Sequence, residues 1–459
     1  MTQTPTTGGP SFWWQQTGLP PRRAALSGDT TAQVCIIGAG YTGLWTALSL
    51  KSARPDLDIL MVEAEWAGFG ASGRNGGWLT GGFAWSHARY AATSSEAAVR
   101  AMVAAMNGTV AEIISQCASL GIDAEITPTD ELLIATNPAQ WQRLQAEHRH
   151  RSAWGEGDRL RLLSAADTAQ RITMPGTQGA LEISGVARIQ PAKLAAGLAR
   201  AAERMGIRMA EGTRVTAIAP GLVTTDRGRV RAETILRCTE GFTAALPGHR
   251  RELLPLNSAQ IITEPLSPGT WAKIGWQGHE IIGDFAHSYC YCQRTPDGRI
   301  AFGGRGTPYR YGSGLDTNGH PDAATIAQLT TRLHRLFPAT RTARIEHAWC
   351  GTLGVPRDWC AGVAFDPATR IGHAGGYVGV GVATANLAGR TLAALTLGTD
   401  DRLTRLPWVN RTPRTWEPEP LRWLGLHGTY AAYAMADRAE ARGGTPSRLA
   451  EWVNWAVGR

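Results

Sequence analysis

Lysine is nearly absent from this chain. Of its 459 residues only Lys51, Lys193 and Lys273 carry a side-chain amine. The formal charge of +8 is therefore borne by arginine, and few amines exist for Schiff-base chemistry or as point charges beside a cofactor. Cysteines are scarce and scattered: seven, at positions 35, 117, 238, 290, 292, 350 and 360, with no CxxC pair. An odd number without pattern argues against a disulfide framework and fits a reducing, cytoplasmic compartment. Cys290 and Cys292 share one side of an expected strand, where buried packing is the expected role and no metal is called for. No apolar run is long enough for a membrane span, and the N-terminus lacks a basic stretch followed by an apolar one. The arginines of the tail alternate with acidic residues and tryptophans, the pattern of a packed, solvated extension and not of a nucleic-acid-binding arm.

What the chain does have is glycine in three informative places. Gln33–Leu50 followed by Ile59–Ala64 reads as strand, turn, helix, strand and acidic residue. Gly38, Gly40 and Gly43 have dinucleotide-binding spacing, and Glu63 stands twenty residues past the last of them. The first glycine permits the tight turn, the second lets a pyrophosphate approach the backbone, and the third lets helix and strand pack. Tyr41 and Thr42 open the helix whose free N–H groups face the phosphates, and Glu63, followed by Ala64, holds ribose hydroxyls. An adenine dinucleotide is the expected ligand.

The second place is the stretch 68–77, GFGASGRNGG, too rich in glycine for a regular element. The third is a cluster over 375–381, which runs into a helix over 383–397. Between them lies a β-rich middle: strands are expected over 131–136, 207–210, 214–218, 234–238, 260–263, 288–293, 299–302 and 344–349. Helices are expected over 97–120, 140–154, 191–205 and 325–336, and in the tail over 432–441 and 448–457. Phe12, Trp13 and Trp14 are expected to dock the N-terminal lead-in on the body. The pattern implies two discontinuous domains.

Taken together, the fingerprint with Glu63, the GFGASGRNGG block and Ala374–Val382 followed by Asn386–Arg390 resemble the D-amino acid oxidase-like superfamily of FAD-dependent oxidoreductases. The second block is closest to gamma-glutamylputrescine oxidase-like proteins. The resemblance implies an α/β fold: a Rossmann-like FAD-binding domain of the glutathione-reductase type (30–115, 186–250 and 346–405), a discontinuous β-sheet-rich substrate domain (116–185 and 251–345) and a helical extension (406–459). It implies FAD at Gly38, Gly40, Tyr41, Thr42, Gly43, Glu63, Ala64, Gly70, Ala71, Ser72, Arg74, Asn75, Gly76, Gly77 and Val215. The flavin's N1/O2 edge would lie at Gly376, Tyr377, Val378, Gly379 and Val380. Relatives often carry His or Asp at the position of Val380 and a neutral residue at that of Glu240.

The implied reaction is oxidation of a C–N bond in a small amine or amino acid, with dioxygen or another carrier as electron acceptor and no membrane or nucleic-acid partner. A flavin-dependent monooxygenase or hydroxylase and a non-catalytic flavin-binding subunit are the alternatives, although no second dinucleotide fingerprint occurs. Candidate substrate contacts are Trp78, Tyr289, Tyr291, Arg305, Tyr309 and Trp349. His287, Tyr291 and Arg305 are the candidates for direct participation. Tyr289 and Tyr291 share strand parity and either bracket a substrate or fill the sheet core. Arg305 either binds a carboxylate bidentately or makes a structural ion pair.

Overall fold

Two sheets organise the chain, and the computed structural model describes residues 5–315 and 317–457, the last three as backbone only. The final two residues of the expected extension lie outside the described residues. The smaller sheet has eight strands. Its parallel centre is Ile371–Gly375, Arg229–Arg237, Thr30–Ile37, Ile59–Val62 and Arg208–Ala210. Parallel strands buried on both faces require unbroken apolar runs, and Ile59–Val62 is buried at all four positions.

Side-chain alternation sends neighbours to opposite cores. Val34, Ile36, Ile59 and Met61 face the first helix, Tyr41–Ala53, and the late helix, Gly381–Leu397. Cys35, Ile37, Leu60 and Val62 face the meander of Val215–Ala219 and Leu222–Thr225. The long helix Glu96–Ser119 is apolar and long enough to cross a membrane by length and composition. Its Val99, Met102, Met106, Val110 and Ile113 are nevertheless buried in the same core as the first helix.

The larger sheet has ten strands, with Ile345–Val355, Leu254–Thr263, Ile300–Gly304, Tyr291–Arg294, Ile281–Asp284, Thr127–Ala135 and Gly179–Arg188 in spatial order through its middle. One face buries Leu132, Ile134, Ile261, Ile282, Phe302 and Ala348 against the helix Ala323–Leu336. Cys290 and Cys292 are buried in that core, as packing predicts. The opposite face turns toward the nucleotide unit. Ile345–Val355 pairs along its length with Leu254–Thr263, so this strand belongs to the larger sheet although it opens the stretch 346–405 expected in the nucleotide domain.

The lead-in docks as expected: Trp13 and Trp14 are buried. The tail forms a longer helix than expected, Leu421–Gly443, followed by Arg448–Val457.

The first and late helices cross closely at Gly389, where an added Cβ would stand 2.8 Å from the backbone nitrogen of Thr46 and 2.9 Å from the Cβ of Trp45. Gly389→Val is expected to lower stability by roughly 1–3 kcal/mol through overpacking, read by denaturant unfolding. An unchanged midpoint would show that the helices separate freely.

Candidate active site

The nucleotide turn leaves no room for side chains. Gly38 has φ +99°, and a Cβ there would meet the carbonyl oxygen of Cys238 at 2.8 Å; one on Gly43 would meet the carbonyl oxygen of Gly38 at 2.0 Å. Beyond this turn opens a cleft of about 1430 Å³, bordered by Gly38, Gly40, Tyr41, Thr42, Glu63, Ala64, Gly70, Ala71, Ser72, Asn75 and Val215 on one side. Glu240, Phe242, Thr352, Leu353, Tyr377 and Gly379 border it on the other. Glu63 accepts from the backbone N–H groups of Ala39 (2.8 Å) and Glu65 (2.9 Å). Burial raises its carboxyl pKa against those two donors. Ser72 Oγ accepts from Tyr41 N at 2.8 Å, tying the second glycine block to the start of the first helix. The late helix begins at Gly381 with no side-chain cap, so its N-terminal donors are open to an anion.

Stretch 70–77 is gripped through its carbonyl oxygens. Ser11 donates to that of Gly73. Gln260 and Trp349 donate to that of Arg74, Trp13 to that of Asn75 at 2.8 Å and Gln293 to that of Gly76 at 2.7 Å. The Arg74 side chain, in turn, donates to the carbonyl oxygens of Phe69 (2.9 Å) and Cys350 (3.2 Å) and lies over the Phe69 ring.

A second cavity, about 2270 Å³, joins the first where Ala71, Asn75, Leu353, Gly379 and Val382 border both. Its walls include Trp78, Thr80, Glu131, Arg143, His150, Ser258, Gln260, Tyr289, Tyr291 and Arg305, closed by Tyr433 and Asn454 of the tail helices. Tyr291 is held between the backbones of Gly76 and Gly303, where an added Cβ would come within 2.7 Å and 2.2 Å of its ring. Its hydroxyl pairs with Ser258 at 2.9 Å, and its ring meets Trp78 edge-on at 6.0 Å. Burial pushes the phenol pKa up to about 12, so it stays protonated at neutral pH. Arg305 makes no ion pair among the described residues, and its Nη1 is buried without a hydrogen-bond partner. His287 also borders this cavity, but its Nε2 lies 2.9 Å from Glu440, which also binds Arg143, and its ring stacks on Tyr433.

The sequence model of the family described as FAD dependent oxidoreductase matches residues 33–395. The chain belongs to that family. It is 28% identical over 405 residues to a probable oxidoreductase OrdL of Rhizobium meliloti, covering 86% of this chain and 90% of that protein. It is 29% identical over 386 residues to the gamma-glutamylputrescine oxidoreductase of Escherichia coli, covering 82% and 86%. Its fold matches glycine oxidase from Geobacillus kaustophilus with a TM-score of 0.68 at 20% identity, over 81% of this chain and 96% of that one. It matches L-proline dehydrogenase from P. horikoshii with the same score at 17% identity, over 83% and 98%.

FAD is the family's cofactor, and the cleft suits it on its own geometry. The side-chain-free turn at Gly38 and Gly43, two helix starts bordering one cleft, and the Glu63 carboxylate beside Ala64 and Val215 match diphosphate, flavin edge and ribose in turn. Gly40, Tyr41, Thr42, Gly70, Ala71, Ser72 and Asn75 would line the same ligand.

Other expected contacts stand elsewhere. Gly43, Gly77, Gly376 and Val378 border neither cavity, whereas Arg74, Gly76 and Val380 border only the second. Tyr309 and Trp349 are fully buried and line neither cavity. Tyr309 donates to Glu419 at 2.6 Å, and the Trp349 indole holds the Arg74 carbonyl oxygen at 3.0 Å. Sequence reasoning missed Thr80, Glu131, Ser258, Gln260, Tyr433 and Asn454. Of these only Glu131, a lone acid opening the apolar run ELLIAT, carried a local signal.

Glu240 occupies two of the N–H groups expected to meet the flavin, those of Gly376 and Tyr377. Its carboxylate accepts from Gly354 (2.5 Å), Gly376 and Tyr377 (3.1 Å each), at a residue whose φ is +41°. Burial lifts its pKa to about 7 against those donors.

Two outcomes follow from this geometry. Gly43→Ala is expected to yield colourless protein, because the turn cannot close around the diphosphate; a mutant retaining full flavin absorbance would contradict the assignment. A carboxyl whose pKa is raised on folding favours the folded state below its unfolded value, 4.5, and that contribution is lost as pH rises toward 7. Glu240→Gln should therefore gain in melting temperature relative to the parent between about pH 5 and about pH 8. Parallel pH profiles would contradict this.

Proposed function

We propose that this protein oxidises the C–N bond of a small amino acid or carboxylate-bearing amine, giving an imine that water hydrolyses to a carbonyl compound and an amine or ammonia. The observation that carries the reading is Arg305: an arginine without an ion-pair partner among the described residues, one Nη buried and unsatisfied, at the wall of a chamber that opens onto the FAD cleft. A buried donor left unsatisfied is unfavourable, and a carboxylate completes a guanidinium bidentately. An added Cβ on Gly379, which borders both cavities, would lie 3.7 Å from Arg305 Nη2, so the bound carboxylate sits near the flavin end of the chamber.

Bound FAD supplies the oxidant, accepting a hydride from the carbon that bears the nitrogen. The chain's own residues orient that carbon and exclude water. Tyr291, locked by Gly76, Gly303 and Ser258, and Trp78 form a rigid aromatic wall. His287 is a positioning group, anchoring the tail helix over the chamber through Glu440. The names of matching proteins support this reading: the Escherichia coli relative is a gamma-glutamylputrescine oxidoreductase, and the matching folds include a glycine oxidase and an L-proline dehydrogenase.

The test is anaerobic mixing of the FAD-loaded protein with amino acids and with amines lacking a carboxylate. Amino acids should bleach the flavin, with ammonia or an amine released. Bleaching by NADPH alone would favour a monooxygenase, and no bleaching by any amine would favour a flavin-binding subunit. Arg305→Met is expected to lower kcat/KM for carboxylate-bearing substrates about ten- to a hundredfold, the worth of a charge-assisted hydrogen-bond pair. A loss as large for amines without a carboxylate would refute the assigned role.

A further inference from the structure

Outside the cofactor cleft, the buried carboxylates of the described residues pair with arginine, with one exception. Glu156 pairs with Arg151, Glu182 and Glu280 with Arg171, Glu211 with Arg23, Asp284 with Arg332 and Glu440 with Arg143. Glu131 is as deeply buried, at 8% exposure. Yet no cationic nitrogen reaches it among the described residues, and its one hydrogen-bond partner there is the Thr80 hydroxyl, at 3.0 Å on Oε2. Both residues form part of the wall of the second cavity.

The nearby cations are already committed. Arg151 is bidentate to Glu156. Arg159 is spent on Asn107 and on the carbonyl oxygens of Ser184 and Gly185. Burial raises the Glu131 pKa more than Arg151 and Arg159 lower it. A buried acid without a cation is unfavourable in the free protein, and a ligand ammonium or guanidinium would relieve it.

Glu131 and Arg305 belong to one face of the larger sheet. The register runs from Leu133, two residues after Glu131, to Gly283, Tyr291 and Gly303, two residues before Arg305. Three inter-strand steps, about 14 Å, separate their strands, and the two residues stand about four residues, or roughly 13 Å, apart along the strand direction. Leu133, Trp78 and Tyr291 line the chamber between them, an apolar passage suited to methylene groups. The chamber thus carries two incompletely satisfied charges of opposite sign with an apolar corridor between.

We propose that Thr80 and Glu131 form a distal cation subsite, and that the substrate class is an amino acid bearing a second, basic nitrogen at the end of an aliphatic chain. This rests on the reading of the second cavity as the substrate chamber. In it Arg305 takes the carboxylate near the flavin, and Glu131 takes the remote ammonium or guanidinium.

The experiment compares lysine, ornithine and arginine with norleucine and norvaline, in both enantiomers, on the FAD-loaded enzyme. At least one basic member should show kcat/KM roughly tenfold or more above its apolar counterpart, and Glu131→Gln should bring that ratio to about one. The wild-type comparison decides the matter even if the variant fails to fold. Norleucine or norvaline oxidised as well as every basic counterpart would overturn the subsite while leaving the oxidation reading intact. If no amino acid reduces the flavin, the oxidation reading fails by itself, and ligand-induced melting shifts with the same compounds decide the subsite. Stabilisation by a basic member and not by its apolar counterpart, abolished in Glu131→Gln, supports it; equal shifts, or none, overturn it.

Discussion

Four consecutive carbonyl oxygens, those of residues 73 to 76, are each held by a side-chain donor from another part of the chain. Without those bonds a segment this rich in glycine would have no fixed path, since glycine loses more conformational freedom on ordering than any other residue. The donors come from the N-terminal lead-in and from three strands of the larger sheet. One strip of backbone is therefore fastened to the lead-in and to the larger sheet. Ala71 and Asn75 on that strip border both cavities, and Ser72 reaches the start of the first helix. The relative placement of the two cavities is set here, by side-chain donors to backbone carbonyl oxygens.

Electrostatics divides the labour between the cavities. The cleft has helix starts facing inward and two carboxylates, Glu63 and Glu240, engaged with backbone donors. The chamber has four arginines: Arg143 is neutralised by Glu440 and Arg151 by Glu156, Arg74 donates to carbonyl oxygens, and Arg305 makes no ion pair among the described residues. No lysine borders either cavity among the described residues, so positive charge reaches the site as planar, directional guanidinium groups.

Local signals in the sequence were legible where the physics is local. The turn at Gly38 and Gly43 is dictated by sterics within a few residues, and Glu63 follows at the distance that one helix and one strand require. Parity placed Tyr291 on the correct face, but Tyr289 lies outside the strand. The chain bends there, with Cys290 N donating to Asp284 Oδ1. Contacts made across the fold left no local trace. The tail helices that close the chamber through Tyr433 and Asn454 read only as helices. Tyr309 and Trp349 were aromatic residues near the right strands whose rings pack away from both cavities, a choice made by tertiary neighbours such as Glu419 and Arg74.

The proposed carboxylate site at Arg305 stands beside the expected place of the flavin ring. Its sharpest test is the visible difference spectrum of the FAD-loaded protein titrated with simple saturated carboxylic acids, which cannot be oxidised. A saturable perturbation of the flavin bands is expected, lost in Arg305→Met. A spectrum indifferent to carboxylates at every concentration, in a protein that binds FAD fully, would contradict it.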